Sequence, residues 1–324
     1  MILHGAAPSY TVILLLALAM GLGFSIITPA VNKAVMLKVK PSRRAISMGI
    51  MHSGSGIGGF AGAALLPVVA GFLGWRIALL ISGSTALILA FIISRKLKLE
   101  NGDQNNNSSA SLANFKEEIG TIIKNEQLML ACMLGGVFGL AVGSIPAHYT
   151  IYLTTDLYYS EAIAGLCLGL VQIGGIVGRI LWGWVSDALL DGDRKNTFLI
   201  IMITILVLKL VNAFLGGLLA ANILILFIVS FLLGVSALGW SGLFFTVVSE
   251  RANPEQTGIA SGMSLIFLRA GVVIGPPIFG FIADQVDHYH LSWLVLGIVV
   301  TVFGMLYYHL QSKKDREEKE VMSG

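Results

Sequence analysis

Residues 11–37 read TVILLLALAMGLGFSIITPAVNKAVML, an apolar run broken only by small polar residues and, near its end, by Asn32 and Lys33. A bilayer's hydrocarbon core is about 30 Å thick and takes about 20 residues of helix to cross. Within lipid every backbone amide must be satisfied inside its own segment, so a run of this length has to be a helix. Comparable stretches follow near residues 45–73, 75–94, 128–153, 161–185, 197–219, 223–247, 258–283 and 292–310. The chain therefore reads as an all-α polytopic membrane protein with about nine transmembrane helices.

Composition agrees. Of 324 residues, 56% are hydrophobic and 12% charged, against about 25% charged in a soluble domain. The mean hydropathy is +0.83. Glycine, at 38 residues, would weaken soluble helices but lets membrane helices approach closely. The formal charge of +3 sits in particular loops, so no nucleic-acid partner is expected. Cys132 and Cys167 fall inside apolar runs, without the spacing of a zinc or thioredoxin site. Neither a metal nor a cofactor is expected. The N-terminus has no basic start, and its first run is too long for a signal peptide.

Basic residues alternate along the loops. Lys38, Lys40, Arg43 and Arg44 follow the first stretch, and Arg95, Lys96, Lys98, Lys116 and Lys124 flank the third connection. Arg194 and Lys195 follow the fifth stretch, Arg251 the seventh, and Lys313, Lys314, Arg316 and Lys319 the last. The turns at 154–160, 216–222 and 284–290 carry no Lys or Arg. Basic loops remain cytoplasmic, which predicts a cytoplasmic C-terminus and an outside start to the first helix. An odd helix count with that orientation suggests that something is lost upstream.

The polar, low-complexity run Asn101 to Ser109 marks a flexible linker. It divides the chain into a three-helix part (1–97), a cytoplasmic linker (98–127), a six-helix part (128–312) and a cytoplasmic tail (313–324). The second and eighth stretches repeat each other. Shifted by about 209 positions, Gly49, Gly62, Pro67 and Gly71 fall on Gly258, Gly271, Pro276 and Gly280. Repeated bundles around a midplane solute site are the common plan of secondary transporters.

The fifth stretch closes with Gly178-Arg179-Ile-Leu-Trp-Gly183-Trp-Val-Ser-Asp187, followed by Gly192, Arg194 and Lys195. With the Gly-Pro-rich second and eighth stretches, and with Thr28-Pro29-Ala-Val-Asn32-Lys33 leading to Pro41, Arg43, Arg44 and Gly49, this resembles the major facilitator superfamily. The last segment is similar to that of branches carrying organic acids, cyanate and related anions. The resemblance implies two six-helix halves, with this chain beginning near the family's fourth helix. It implies interface packing through Gly62, Pro67, Gly71, Gly271, Gly275, Pro276 and Gly280. It also implies a cavity lined by the first, fourth and seventh stretches, whose candidates include Ser25, Thr28, Asn32, Ser144, His148, Tyr149, Tyr152, Ser236, Trp240 and Ser241.

Intramembrane charge is costly, about 2.5–3.5 kcal/mol on insertion scales, so Arg269, near the middle of the eighth stretch, is the leading candidate. Its guanidinium could grip a carboxylate bidentately, or it could bond a neighbouring helix. Lys209 is expected to snorkel or pair. His52 and His148 either titrate or sit neutral in hydrogen bonds. Asp187, Gly183, Arg194 and Lys195 read as a gate element. Asp and Glu fall only at the rims, such as Asp156, Glu161 and Glu250. HExxH and Gly-x-Ser-x-Gly are absent, so no enzyme is expected. The function expected is transport of a small solute, an organic anion with or without a coupling proton or ion, across a bacterial cytoplasmic membrane by alternating access. The alternative is an N-terminally truncated remnant or half-assembly subunit. The oligomeric state is open.

Overall fold

The computed structural model describes residues 1–96, 112–252 and 256–323. In chain order the helices are α1 (Ile2–Gly5), α2 (Tyr10–Lys38), α3 (Arg44–Leu73), α4 (Trp75–Lys96), α5 (Leu112–Lys124), α6 (Glu126–Thr155) and α7 (Glu161–Trp184). After them come α8 (Arg194–Phe214), α9 (Gly216–Ala221), α10 (Ile223–Ala237), α11 (Ser241–Arg251), α12 (Thr257–Val286) and α13 (His290–Ser323). Among the described residues, eight stretches are long and apolar enough to cross a bilayer. A further helix, α3, runs for 30 residues. The protein is all-α and integral to the membrane.

Local chemistry sets the helix starts. The side chains of Asn125, Ser160, Asp193 and Asn222 each accept a bond from a first-turn amide of α6, α7, α8 and α10, satisfying donors that no helix can satisfy itself. Gly74, at φ +83°, takes the left-handed turn between α3 and α4 at little cost.

The described chain forms two compact units, residues 1–28 with 58–120, and residues 29–57 with 121–324. In the first, the short α1 lies on α4, with Gly5 beside the Arg76 carbonyl. In the second, helices pack as pairs: α6 with α12, α7 with α10, and α8 with α13. Close backbone approach explains the glycines there. A Cβ at Gly271 would collide with the Gly136 carbonyl of α6, and one at Gly234 with the Val171 carbonyl of α7. Such contact replaces the hydrophobic drive that lipid removes.

Several boundaries differ from those read in the sequence. The stretch 223–247 is two helices, because residues 238–240 form turns between α10 and α11. The stretch 161–185 leaves α7 through a π-helical turn over Val185–Leu189. The stretch 197–219 divides into α8 and α9. The tail beyond 312 continues α13 to Ser323. Most of the polar linker lies outside the described residues, but its end forms α5, where Leu112, Phe115, Ile119 and Ile122 recur at helical spacing.

Candidate functional site

Asp187 sits on the π-helical turn, a geometry common at functional positions. Its Oδ2 accepts from the backbone amide of Ile46 at 2.9 Å. That amide belongs to the first turn of α3, an orphan donor at the positive end of the helix dipole. Its Oδ1 pairs with Arg194. Arg194 also reaches Glu250 of α11 at 3.1 Å, the Ser186 hydroxyl at 2.9 Å and the Pro41 carbonyl at 3.5 Å. One guanidinium thus ties α7, α8, α11 and the turn before α3 together. Gly183 lies against the Ala45 carbonyl. Lys195 is placed elsewhere, with its amine 5.4 Å from the Tyr308 ring. Arg194→Gln leaves two carboxylates facing each other without a cation. A loss of about 3 kcal/mol is expected, seen as a lower unfolding midpoint in detergent.

Further into the same unit a polar layer crosses five helices. Asn32 of α2 donates to the Ser261 hydroxyl of α12 at 3.1 Å, and its carbonyl oxygen lies 3.0 Å from Nε2 of His52 on α3. That oxygen can only accept, so Nε2 donates to it. The imidazole stacks on Phe245 at 4.4 Å. Arg179 of α7 donates from Nε to the Ser241 hydroxyl of α11 at 3.1 Å and from Nη1 to the His52 carbonyl at 3.5 Å. No carboxylate pairs with Arg179 among the described residues. The backbone is drawn tight here: Gly49 of α3 lies against the Arg179 carbonyl and against Gly242 of α11.

Arg269 lies eight residues beyond Ser261 on α12, about 12 Å along the helix. It is exposed and makes no hydrogen bond or ion pair among the described residues. Asn32, Ser241, His52 and Arg179 are therefore one cluster, with Arg269 above it.

The aromatic candidates lie elsewhere. Tyr149 and Tyr152 are buried, bonded to the Ser230 hydroxyl at 2.7 Å and the Asn212 carbonyl at 2.8 Å. Trp240 is buried too, with its indole donating to the Ala237 carbonyl and its ring stacked on Phe138. Each has its polar atom satisfied inside the bundle, as buried polar groups require. His148 lies 3.0 Å by Nε2 from the Pro276 carbonyl and 3.4 Å by Nδ1 from the Tyr289 hydroxyl. The Pro276 carbonyl can only accept, so Nε2 donates to it; burial, with Asp284 and Asp156 nearby, pushes the Tyr289 phenol up. Gly280 leaves room for the imidazole rather than for a helix backbone. Gly275 packs on the Leu140 carbonyl. Gly62 and Gly71 meet no second helix among the described residues, and the side chain of Pro67 lies outside them.

Lys209 does not snorkel. It is fully buried, with its amine 4.2 Å over the Trp293 ring, because Gly297 admits its stem from α13.

Two residues were missed in the sequence. Arg179 stood inside the loop signature, where it passed for part of the motif. Ser261 had no signal beyond its register on the packed face of α12.

The Major Facilitator Superfamily model matches residues 1–188 and again 137–323. The chain belongs to the Major Facilitator Superfamily. It is 25% identical over 69% of its length to a probable hexose phosphate transport protein of Chlamydia muridarum, and spans about half (55%) of that relative. It is 20% identical over 90% of its length to the hexuronate transporter of Bacillus subtilis, of which it covers 71%. Among solved structures, the Escherichia coli fucose:proton symporter FucP matches 94% of this chain and 79% of its own at a TM-score of 0.69 and 16% identity, a likeness of fold. The superfamily fold explains why glycine-lined helix pairs and a charged loop signature occur in one chain.

Proposed function

We propose that this protein is a secondary transporter of a small organic anion, working by alternating access. The observation that carries the reading is the pair of intramembrane guanidiniums, Arg179 and Arg269, with no carboxylate on either among the described residues. Arginine inside a membrane faces a partner or a solute path, and its planar fork matches carboxylate and phosphate oxygens. The matched relatives include proteins named for hexose phosphate and hexuronate, both anionic.

The gate is the second element. Asp187, Arg194 and Glu250, with the polar layer above them, hold the ends of α2 and α3 against α7, α11 and α12. This is the end with the basic loops, read as cytoplasmic. Breaking and remaking these bonds would accompany the rocking of the halves.

Uptake into proteoliposomes tests the reading. A hexose phosphate, a hexuronate, lactate and neutral glucose are supplied in parallel at equal concentration. At least one anion should accumulate and glucose should not. Arg269→Ala should lower affinity for that anion about 10–100-fold, the worth of a charged hydrogen-bonded contact, and Arg269→Lys should restore part of it. Equal entry of glucose, or no anion uptake at all, would count against the proposal.

A further inference from the structure

Asn125 ends three helices at once. Its backbone amide bonds to the Thr121 and Ile122 carbonyls at 3.1 Å, closing α5. Its Oδ1 accepts from the Leu128 amide at 3.1 Å, capping the start of α6. Its Nδ2 donates to the carbonyl of Arg251, the last residue of α11, at 3.1 Å. The two side-chain bonds need opposite ends of the amide, so together they fix its orientation. A carbonyl in a helix's last turn has no donor within its own helix. Here a side chain 126 positions away supplies one. The Arg251 guanidinium in turn donates to the side-chain oxygen of Gln127, in the first turn of α6. The start of α6 and the end of α11 therefore hold each other twice.

The adjoining ion pair cannot replace this clasp. Lys314 pairs with Glu126, but that carboxylate is 76% exposed, and such pairs contribute little. It also reaches α13, not α11. Glu250 directly precedes Arg251 and meets Arg194 at 3.1 Å. Helix ends without capping partners fray. Fraying of the last turn of α11 would carry Glu250 off Arg194 and leave Asp187 as its only carboxylate.

We infer that Asn125 is a positioning residue for the gate: it holds the last turn of α11 so that Glu250 stays on Arg194. It bonds to none of Asp187, Arg194 and Glu250 among the described residues, and acts through the turn it caps. The assignment rests on the gate proposed above.

Asn125→Ser keeps a good cap for α6, but its hydroxyl is too short to reach the Arg251 carbonyl as well. Ala45 is buried and lies one residue before the amide that Asp187 holds. In an Ala45→Cys background, a membrane-impermeant thiol reagent is applied from the basic-loop side. Asn125→Ser should speed labelling at least about threefold, the effect of one neutral hydrogen bond. With Glu250→Gln already present, adding Asn125→Ser should change the rate little, because residues that act through one another are not additive. An undiminished effect in Glu250→Gln would overturn the assignment, since mere support of α6 would act without Glu250. Equal labelling with and without Asn125→Ser, while Gly49→Leu still speeds it, would overturn the assignment and leave the gate standing. Insensitivity to Asn125→Ser, Glu250→Gln and Gly49→Leu alike would sink the gate, and the assignment with it.

Discussion

Arg179→Ala is expected to cut anion uptake at least about 100-fold. The guanidinium makes two bonds in the layer, to Ser241 and to the His52 carbonyl, and still has donors for a solute. Loss of a charged hydrogen-bonding group costs about 1.5–3 kcal/mol per bond, and an oxyanion held by the fork loses two. Arg179→Lys keeps the charge without the fork, so recovery should be partial, about tenfold above the alanine variant. Binding separates solute contact from gate repair. Equilibrium binding of the transported anion should weaken in step with uptake if Arg179 touches it. Unchanged affinity with slowed turnover would restrict Arg179 to holding α3, and unimpaired uptake would remove it from the mechanism.

A second large effect is expected at Gly49. Its backbone meets the Arg179 carbonyl on one side and Gly242 on the other, so α3 closes on α7 and α11 only because no side chain intervenes. Gly49→Leu forces extra methylenes into that crossing. Overpacking costs about 1–3 kcal/mol, and borne by the closed arrangement alone this is a 5–150-fold shift in population toward the open one. Ala45 reports it, being buried in the closed crossing. In an Ala45→Cys background, a membrane-impermeant thiol reagent applied from the basic-loop side should label at least about tenfold faster once Gly49→Leu is added, and uptake should fall. Equal labelling with and without Gly49→Leu would show that the crossing is not what opens.

Much of the architecture was readable because lipid leaves few choices. Apolar runs long enough to cross must be helices, and the loop signature at Gly178 to Asp187 carried the superfamily. What could not be read was contact across the bundle. Nothing local shows that the first-turn amide of Ile46 ends on Asp187, or that Asn32 reaches Ser261 across 229 positions. Polarity alone does not separate solute contact from structural duty: the polar atoms of the cavity candidates Tyr149, Tyr152 and Trp240 all bond inside the core. Lys209 went the other way: it was expected to snorkel or pair, whereas Gly297 and Trp293 hold it inside. The break at 238–240 escaped notice because hydropathy is blind to it, every residue there being apolar or glycine.

That break changes what a single crossing can do. Trp182 spends its indole N–H on the Val235 carbonyl, an oxygen that an unbroken helix would give to the amide of Gly239. With its continuity surrendered there, the crossing is two rods on a pivot rather than one lever. If the proposed gate opens, the half bearing Glu250 would swing with it while the half before Ala237 stayed moored to α7, so one membrane face would rearrange without disturbing the other.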